Sequence, residues 1–401
     1  MRIKAAYPWP FFAAMAATLL LFFSFQALFS TLPLYVAAIG GSPADNGLAS
    51  WAFALAALLT RPLAGALADR WDRKPLLVAG ALVFGSGPLL YRLATDVPSL
   101  LGARAIHGVG MALFSTTYQA FIADLLEPGG YGEGLGLANT ASVATMVVAP
   151  LFGERVVRAS GFSALFLALG AVGSLGGAVA LVLPGRRRAG RARALPSSGG
   201  HPGSEDSSSL APPAGRVGLL RAWRQPGVRW GTLGMALLGV PFGAFIVFVP
   251  LLADARGLDG SGWIFCAYAL ASLFTQPVAG RIADRWGTGR TALVGLALVG
   301  LTAAGLAVGA SEWGLIALAV FFGVGYGAAR AGLDACVQES VEPTLRGCGT
   351  AIQYTAHDLL IGLGSWGLGW LAGRAGYGVM YAVVGGITLL GLVLIGNLRR
   401  Q

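Results

Sequence analysis

The chain has 401 residues, of which 55% are hydrophobic and 11% charged, and its formal net charge is +10. Soluble domains carry about 25% charged residues, so the composition excludes an ordinary water-soluble domain and points to a polytopic membrane protein. The basic excess does not mark a nucleic-acid binder, because the cations gather in alternate loops between apolar runs, the pattern of the positive-inside rule.

Runs of about 20 apolar residues cross the hydrocarbon core as helices, whereas a β-barrel would read as short alternating segments. Twelve helices are predicted, at 9–36, 47–68, 75–94, 99–125, 134–154, 162–184, 228–253, 261–282, 290–310, 314–338, 347–372 and 377–397. The first follows Arg2 and Lys4 but is long and leads into a second span, so it reads as a retained helix rather than a cleaved leader. Residues 185–226 are rich in Arg, Gly, Ser and Pro. Such a segment cannot bury enough apolar surface to offset its ordering entropy, which predicts a mobile linker between six-helix bundles at 1–184 and 227–401. Three cysteines beside apolar runs predict no disulfide framework.

Orientation follows from the loops. One set holds Arg70, Arg73, Lys74, the linker arginines, Arg281, Arg285, Arg290, Arg346, Arg399 and Arg400, while the other holds only Arg92, Arg155, Arg158, Arg256 and Arg374. The first set is expected to face the cytoplasm together with both termini, in a bacterial-type inner membrane.

Two stretches repeat. Arg61-Pro62-Leu63-Ala64-Gly65-Ala66-Leu67-Ala68-Asp69-Arg70-Trp71-Asp72-Arg73-Lys74 returns as Gln276-Pro277-Val278-Ala279-Gly280-Arg281-Ile282-Ala283-Asp284-Arg285-Trp286, and Asp69 and Asp284 stand 215 positions apart. At the same shift Gly108-Val109-Gly110 meets Gly323-Val324-Gly325, and Glu127-Pro128 meets Glu342-Pro343. Six helices per half is an even number, so both halves insert with the same orientation, the parallel-repeat arrangement of many secondary transporters.

Two sets of six helices and the pattern Gly65-x-x-x-Asp69-Arg70-x-x-Arg73-Lys74 resemble the major facilitator superfamily, whose signature between helices 2 and 3 is G-x-x-x-D-R/K-x-G-R-R/K. The implied fold is all-α, with twelve transmembrane helices in two six-helix pseudo-symmetric halves. Asp72 stands where the family has glycine. The resemblance implies that Gly65, Asp69, Arg70, Arg73 and Lys74, with Asp124 as a further partner and Asp284 as the second copy, form a gate. Gly65 is expected to permit close helix approach. Arg104-x-x-His107-Gly108 is similar to the family motif R-x-x-Q-G of helix 4, and Ala149-Pro150-Leu151-Phe152-Gly153-Glu154 partly matches the antiporter pattern G-P-x-x-G-G.

Charges inside apolar helices are expensive and mark functional positions. Arg330 and Asp334 are spaced i,i+4 on one helical face, and His357-Asp358 fall mid-span. The first-half counterparts of Arg330 and Asp334 are Ser115 and Gln119. Candidates for proton coupling are therefore Asp358, Asp334, Arg330, Arg104, His107 and His357, with structural ion pairing as the competing reading of Arg330 and Asp334. Gln26, Tyr118, Gln119, Asn139, Gln353, Tyr354, Trp366 and Trp370 are candidates to line a substrate cavity. Each alone is as readily explained by helix packing.

No nucleotide-binding P-loop is present, and three histidines supply no metal cluster. No cofactor and no enzymatic activity are expected. The reading is a monomeric secondary transporter in the lipid bilayer that exports a small molecule by rocker-switch alternating access, driven by a proton gradient. The alternatives are a symporter or facilitator for a sugar, amino acid or other metabolite, or a receptor or lipid scramblase on the same fold.

Overall fold

Helices account for nearly all of the computed structural model, which describes residues 7–70, 72–126, 131–185, 216–258, 260–308, 311–342 and 345–398. In chain order they are α1 (Trp9–Gln26), α2 (Leu28–Ala38), α3 (Pro43–Arg70), α4 (Arg73–Leu93), α5 (Val97–Leu125), α6 (Tyr131–Val182), α7 (Arg216–Trp223), α8 (Pro226–Ala255), α9 (Gly262–Trp286), α10 (Thr288–Val308), α11 (Glu312–Ser340) and α12 (Arg346–Leu398).

Among the described residues, ten helical segments are long and apolar enough to cross a membrane. Two of these, in α6 and α12, extend over 43 and 51 residues. At 1.5 Å per residue each is about twice the ~30 Å of a hydrocarbon core, so each holds two crossings. The break falls at Gly161 (φ 78°) in α6 and Gly376 (φ 82°) in α12, the one non-helical residue within each. The twelve expected crossings are thereby recovered, and the two glycines are themselves 215 positions apart. The chain is an integral membrane protein.

Several helices begin before their apolar runs because polar residues cap them. Asp96 and Ser99 form a reciprocal capping box at the start of α5, which satisfies backbone donors that the helix itself cannot. The Ser99 hydroxyl and N–H hold the exposed Asp96 carboxyl below its ordinary range. Ser311 accepts from Gly314 N–H at the start of α11.

Part of the expected linker 185–226 is helical. Residues 186–215 lie outside the described residues, but 216–223 form α7. Ala222 is fully buried in an apolar cluster with Val228, Val337, Val341 and Leu345, and Arg221 pairs with Glu342 at 3.5 Å. That burial is the surface the composition-based argument overlooked.

The chain divides into two compact units. One comprises residues 1–194, 246–269 and 365–374; the other comprises 195–245, 270–364 and 375–401. Packing and duplication therefore do not share a boundary: short second-half segments lie within the first unit.

The repeat is written into the helix crossings. In the first unit, a Cβ on Gly80 would strike the backbone of Phe114, and one on Gly110 would strike that of Phe84. In the second, Gly295 meets Ala329 and Gly325 meets Val299 in the same way. Every partner is shifted by 215. The α4–α5 crossing and the α10–α11 crossing are thus the same small-residue contact made twice.

Candidate functional site

The signature loop is built differently in its two copies. Asp72 sits at φ −62°, ψ 130°, an ordinary extended conformation, and its carboxylate accepts the Lys74 N–H at 3.2 Å to cap α4. At the equivalent place Gly287 adopts φ 93°, a value that favours glycine. The missing family glycine is therefore replaced by an N-cap, which needs no left-handed backbone.

From the start of α4, Arg73 pairs with Asp124 near the end of α5 and also donates to the Ala120 carbonyl. The repeat counterpart joins Thr288 Oγ1 to Glu339 Oε2 at 3.2 Å. The same strut is an ion pair in one half and a hydroxyl–carboxylate hydrogen bond in the other. Asp284 is exposed. The side chains of Asp69 and Arg70, and the whole of Trp71, lie outside the described residues.

Gly65 does not serve the role expected of it. Among the described residues, a Cβ there would meet nothing within 4 Å. Close approach along α3 occurs instead at Gly47, where a Cβ would collide with the backbone of Ser365 and Trp366. Gly369 returns the contact against Pro43 and Ala44.

Arg104 and His107, one turn apart on α5, are both buried, at 7% and 1% exposure. Arg104 Nε donates to the Ala49 carbonyl at 3.1 Å, and Nη1 donates to Tyr91 Oη at 3.3 Å. The Tyr91 hydroxyl in turn bonds His107 Nδ1. Tyr91 thus accepts from arginine and bridges it to the imidazole, whose tautomer sets which of the two donates. The guanidinium lies 4.4 Å from the Phe53 ring centroid, a cation–π contact. Tyr91 and Phe53 escaped the sequence reading because an aromatic in an apolar helix carries no polar signal of its own.

Glu154, the residue that departs from the antiporter pattern, is 9% exposed. Both the N–H and the hydroxyl of Ser261 donate to its Oε1, each at 2.7 Å. Ser261 directly precedes α9, so the carboxylate of α6 caps a helix 107 positions away, where the positive end of the dipole favours an anion. Gly260 leaves the necessary space: a Cβ there would crowd Glu154 Oε2 and Arg158 Nη2. Replacing Glu154 by alanine is expected to cost about 1–2 kcal/mol, as for a lost cap. Glu154→Gln keeps a carbonyl acceptor and should recover most of that loss. Thermal unfolding of the purified variants tests this, and equal melting of the two would exclude the capping role.

The second unit brings together five of the expected residues. Arg330 Nη2 donates to Tyr354 Oη at 3.1 Å, and Nη1 donates to Tyr326 Oη at 3.4 Å. The Tyr354 hydroxyl donates to Asp334 Oδ2 at 3.0 Å, while the direct Arg330–Asp334 approach is 3.9 Å. Tyr326 Oη lies 3.3 Å from His357 Nε2, and His357 Nδ1 lies 3.5 Å from Asp358 Oδ1. Phe242 stacks on Tyr326 with centroids 4.6 Å apart. Two tyrosines thus link an arginine, a histidine and two aspartates in one connected polar network inside α11 and α12. One atom stands out: Asp334 Oδ1 is buried without a hydrogen-bond partner, a costly state for a carboxylate oxygen.

The remaining cavity candidates separate. Gln26 is consumed by contacts to α6, donating to the Ser142 carbonyl at 3.0 Å and accepting from Thr145 at 2.8 Å. Tyr118 donates to the Ala138 carbonyl at 3.2 Å. Both act as interhelical ties. Gln119 is exposed, and the side chain of Asn139 lies outside the described residues. Gln353 is buried with Nε2 unpartnered. Trp366 and Trp370 form no enclosed aromatic wall: they are 45% and 54% exposed, and Arg374 stacks over Trp370 at 3.8 Å. Among the described residues, no group of His, Cys, Asp and Glu is arranged to hold a metal.

A family model described as Major Facilitator Superfamily matches residues 14–261 and 259–400. The chain belongs to the major facilitator superfamily. Relatives of this superfamily member include Multidrug resistance protein 2 of Bacillus subtilis (strain 168), 26% identical over 129 residues, 32% of either chain. Multidrug resistance protein MdtL of Salmonella schwarzengrund (strain CVM19633) is 30% identical over 153 residues, 38% of either chain. These alignments span about a third of the curated relatives' length. Among solved structures, a bacterial homologue of the human lysosomal transporter Spinster, in an inward-facing and occupied conformation, aligns with a TM-score of 0.78 at 15% identity, covering 98% of this chain and 96% of that one. The nucleoside transporter NupG aligns with a TM-score of 0.73 at 14% identity, covering 98% of this chain and 99% of that one. At such identities the likeness is one of fold.

Proposed function

We propose that the protein is a secondary active transporter that exports a small molecule in exchange for protons, with the halves 1–184 and 227–401 rocking about a central site. It is read as a monomer of a bacterial-type inner membrane with cytoplasmic termini, without cofactor or enzymatic activity. The observation that carries the reading is the network Tyr326–Arg330–Tyr354–Asp334, joined through His357 to Asp358. It holds two carboxylates against one arginine inside apolar helices. Connected carboxylates of this kind, set among apolar helices, are suited to take up and release a proton or a cation. A site that can exchange one for the other couples two fluxes.

The multidrug-resistance names of the relatives support the export direction. Alternating access would require the Glu154–Ser261 cap and the Gly47–Ser365 contact to open, while Arg73–Asp124 braces the signature end.

Reconstitution in proteoliposomes tests the proposal. An imposed pH gradient should drive uptake or release of lipophilic dyes or other candidate cargo, and collapsing the gradient should stop it. Asp358→Asn and Asp334→Asn should each lower gradient-driven flux at least tenfold. Unchanged flux in both variants would remove proton coupling. Transport that ignores the gradient would favour a facilitator.

A further inference from the structure

We propose that Arg104 forms an anion-binding subsite, taking either a small free anion or the carboxylate of a bound molecule. Three observations converge on it. First, Arg104 is only 7% exposed, yet its hydrogen bonds go to a carbonyl and a phenol. Among the described residues, no carboxylate lies within 4 Å of it, and Nη2 donates to none of them. The groups it touches are a backbone carbonyl, the Tyr91 hydroxyl and the Phe53 ring face, none of them an anion. A full positive charge inside an apolar helix bundle is expensive without a counter-charge.

Second, the arginine opens onto a cavity of about 40 Å³, whose polar lining is completed by Asn46 and Ser50. One water needs about 10–15 Å³ on this measure, so the cavity has room for a halide or the two oxygens of a carboxylate. Third, Phe25 and Phe29 line the same cavity, and their rings meet edge-to-face at 5.1 Å. That side of the cavity is apolar and offers the arginine no negative charge. The planar fork of arginine suits the two oxygens of a carboxylate, and its charge also attracts a halide.

The subsite is independent of the proton-coupling network and stands or falls without any transport measurement. The test is thermal unfolding of the purified full chain, followed by tryptophan fluorescence, in sodium salts of chloride, bromide, formate, benzoate or gluconate at one ionic strength. Small anions should raise the midpoint saturably, by about 3 °C, and bulky gluconate should not. The rise should vanish in Arg104→Gln and persist in Arg104→Lys. Ser50→Leu, which fills the cavity while leaving the charge, should abolish it too and covers the case in which Arg104→Gln fails to fold. Stabilisation by chloride and formate alike would identify a free-anion site, and stabilisation by benzoate alone would identify the carboxylate of a larger ligand. Equal midpoints in all salts, or a rise that survives both Arg104→Gln and Ser50→Leu, would overturn the proposal.

Discussion

Asp334→Ala is expected to destabilise the protein by about 2 kcal/mol and to silence gradient-driven transport. The energetic part follows from what remains: the Arg330 guanidinium would lose the carboxylate 3.9 Å away, and Tyr354 would lose the acceptor of its proton. Breaking a fully buried pair costs about 3–5 kcal/mol. Both side chains here are 34% exposed, so solvent screens the loss and the lower figure applies.

A double variant separates structure from function. Arg330→Met with Asp334→Leu removes both charges and should melt closer to the wild type than Asp334→Ala, because no unpaired charge is left. If the pair serves only the fold, this variant transports normally. If Asp334 exchanges protons, the variant is stable and silent. Melting temperature and proteoliposome flux, measured on the same preparations, decide between these outcomes.

Gly85→Leu should be severely damaging, with a cost of about 3 kcal/mol or more and a collapse of the monodisperse fraction in detergent. Gly85 of α4 and Gly173 of α6 face each other so closely that a Cβ on either would strike the other's backbone. Backbone cannot move aside as a side-chain tip can, so overpacking here exceeds the usual range of about 1–3 kcal/mol. The repeat supplies an internal control. The counterparts of Gly85 and Gly173 are Gly300 and Thr388, where a Cβ on Gly300 would lie 3.3 Å from Thr388 Cβ and 3.0 Å from the flexible Leu389 side chain. Gly300→Ala should therefore cost less than Gly85→Ala, as read by fluorescence-detected size exclusion after graded heating.

Features carried by composition and by the 215-residue shift were legible from the sequence. The crossings, the parallel duplication and the asymmetry between Arg73–Asp124 and Thr288–Glu339 all rest on residues whose type differs visibly from an apolar background. The polar network was legible in its charged members alone. Tyr326 and Phe242, which tie those members together, look like packing residues until the helices are assembled. Glu154 showed itself as a departure from a motif, but its partner Ser261 could not be read, because that contact is made by chain segments 107 positions apart. Gly65 failed for the converse reason: a motif glycine says that a side chain is unwanted, not which neighbour excludes it. Asp72 shows itself in the sequence only as a missing glycine, whereas its carboxylate supplies a cap that glycine cannot.

The single-residue joints at Gly161 and Gly376 bear on how the protein can be handled at the bench. Each connects two crossings without an intervening loop, so a protease would find no extended segment to cut there. An inserted epitope or fluorescent domain would have to unwind helix on both sides. Each pair should also leave the ribosome and enter the bilayer as one hairpin. Splitting the gene at either glycine should therefore yield fragments that fail to reassemble.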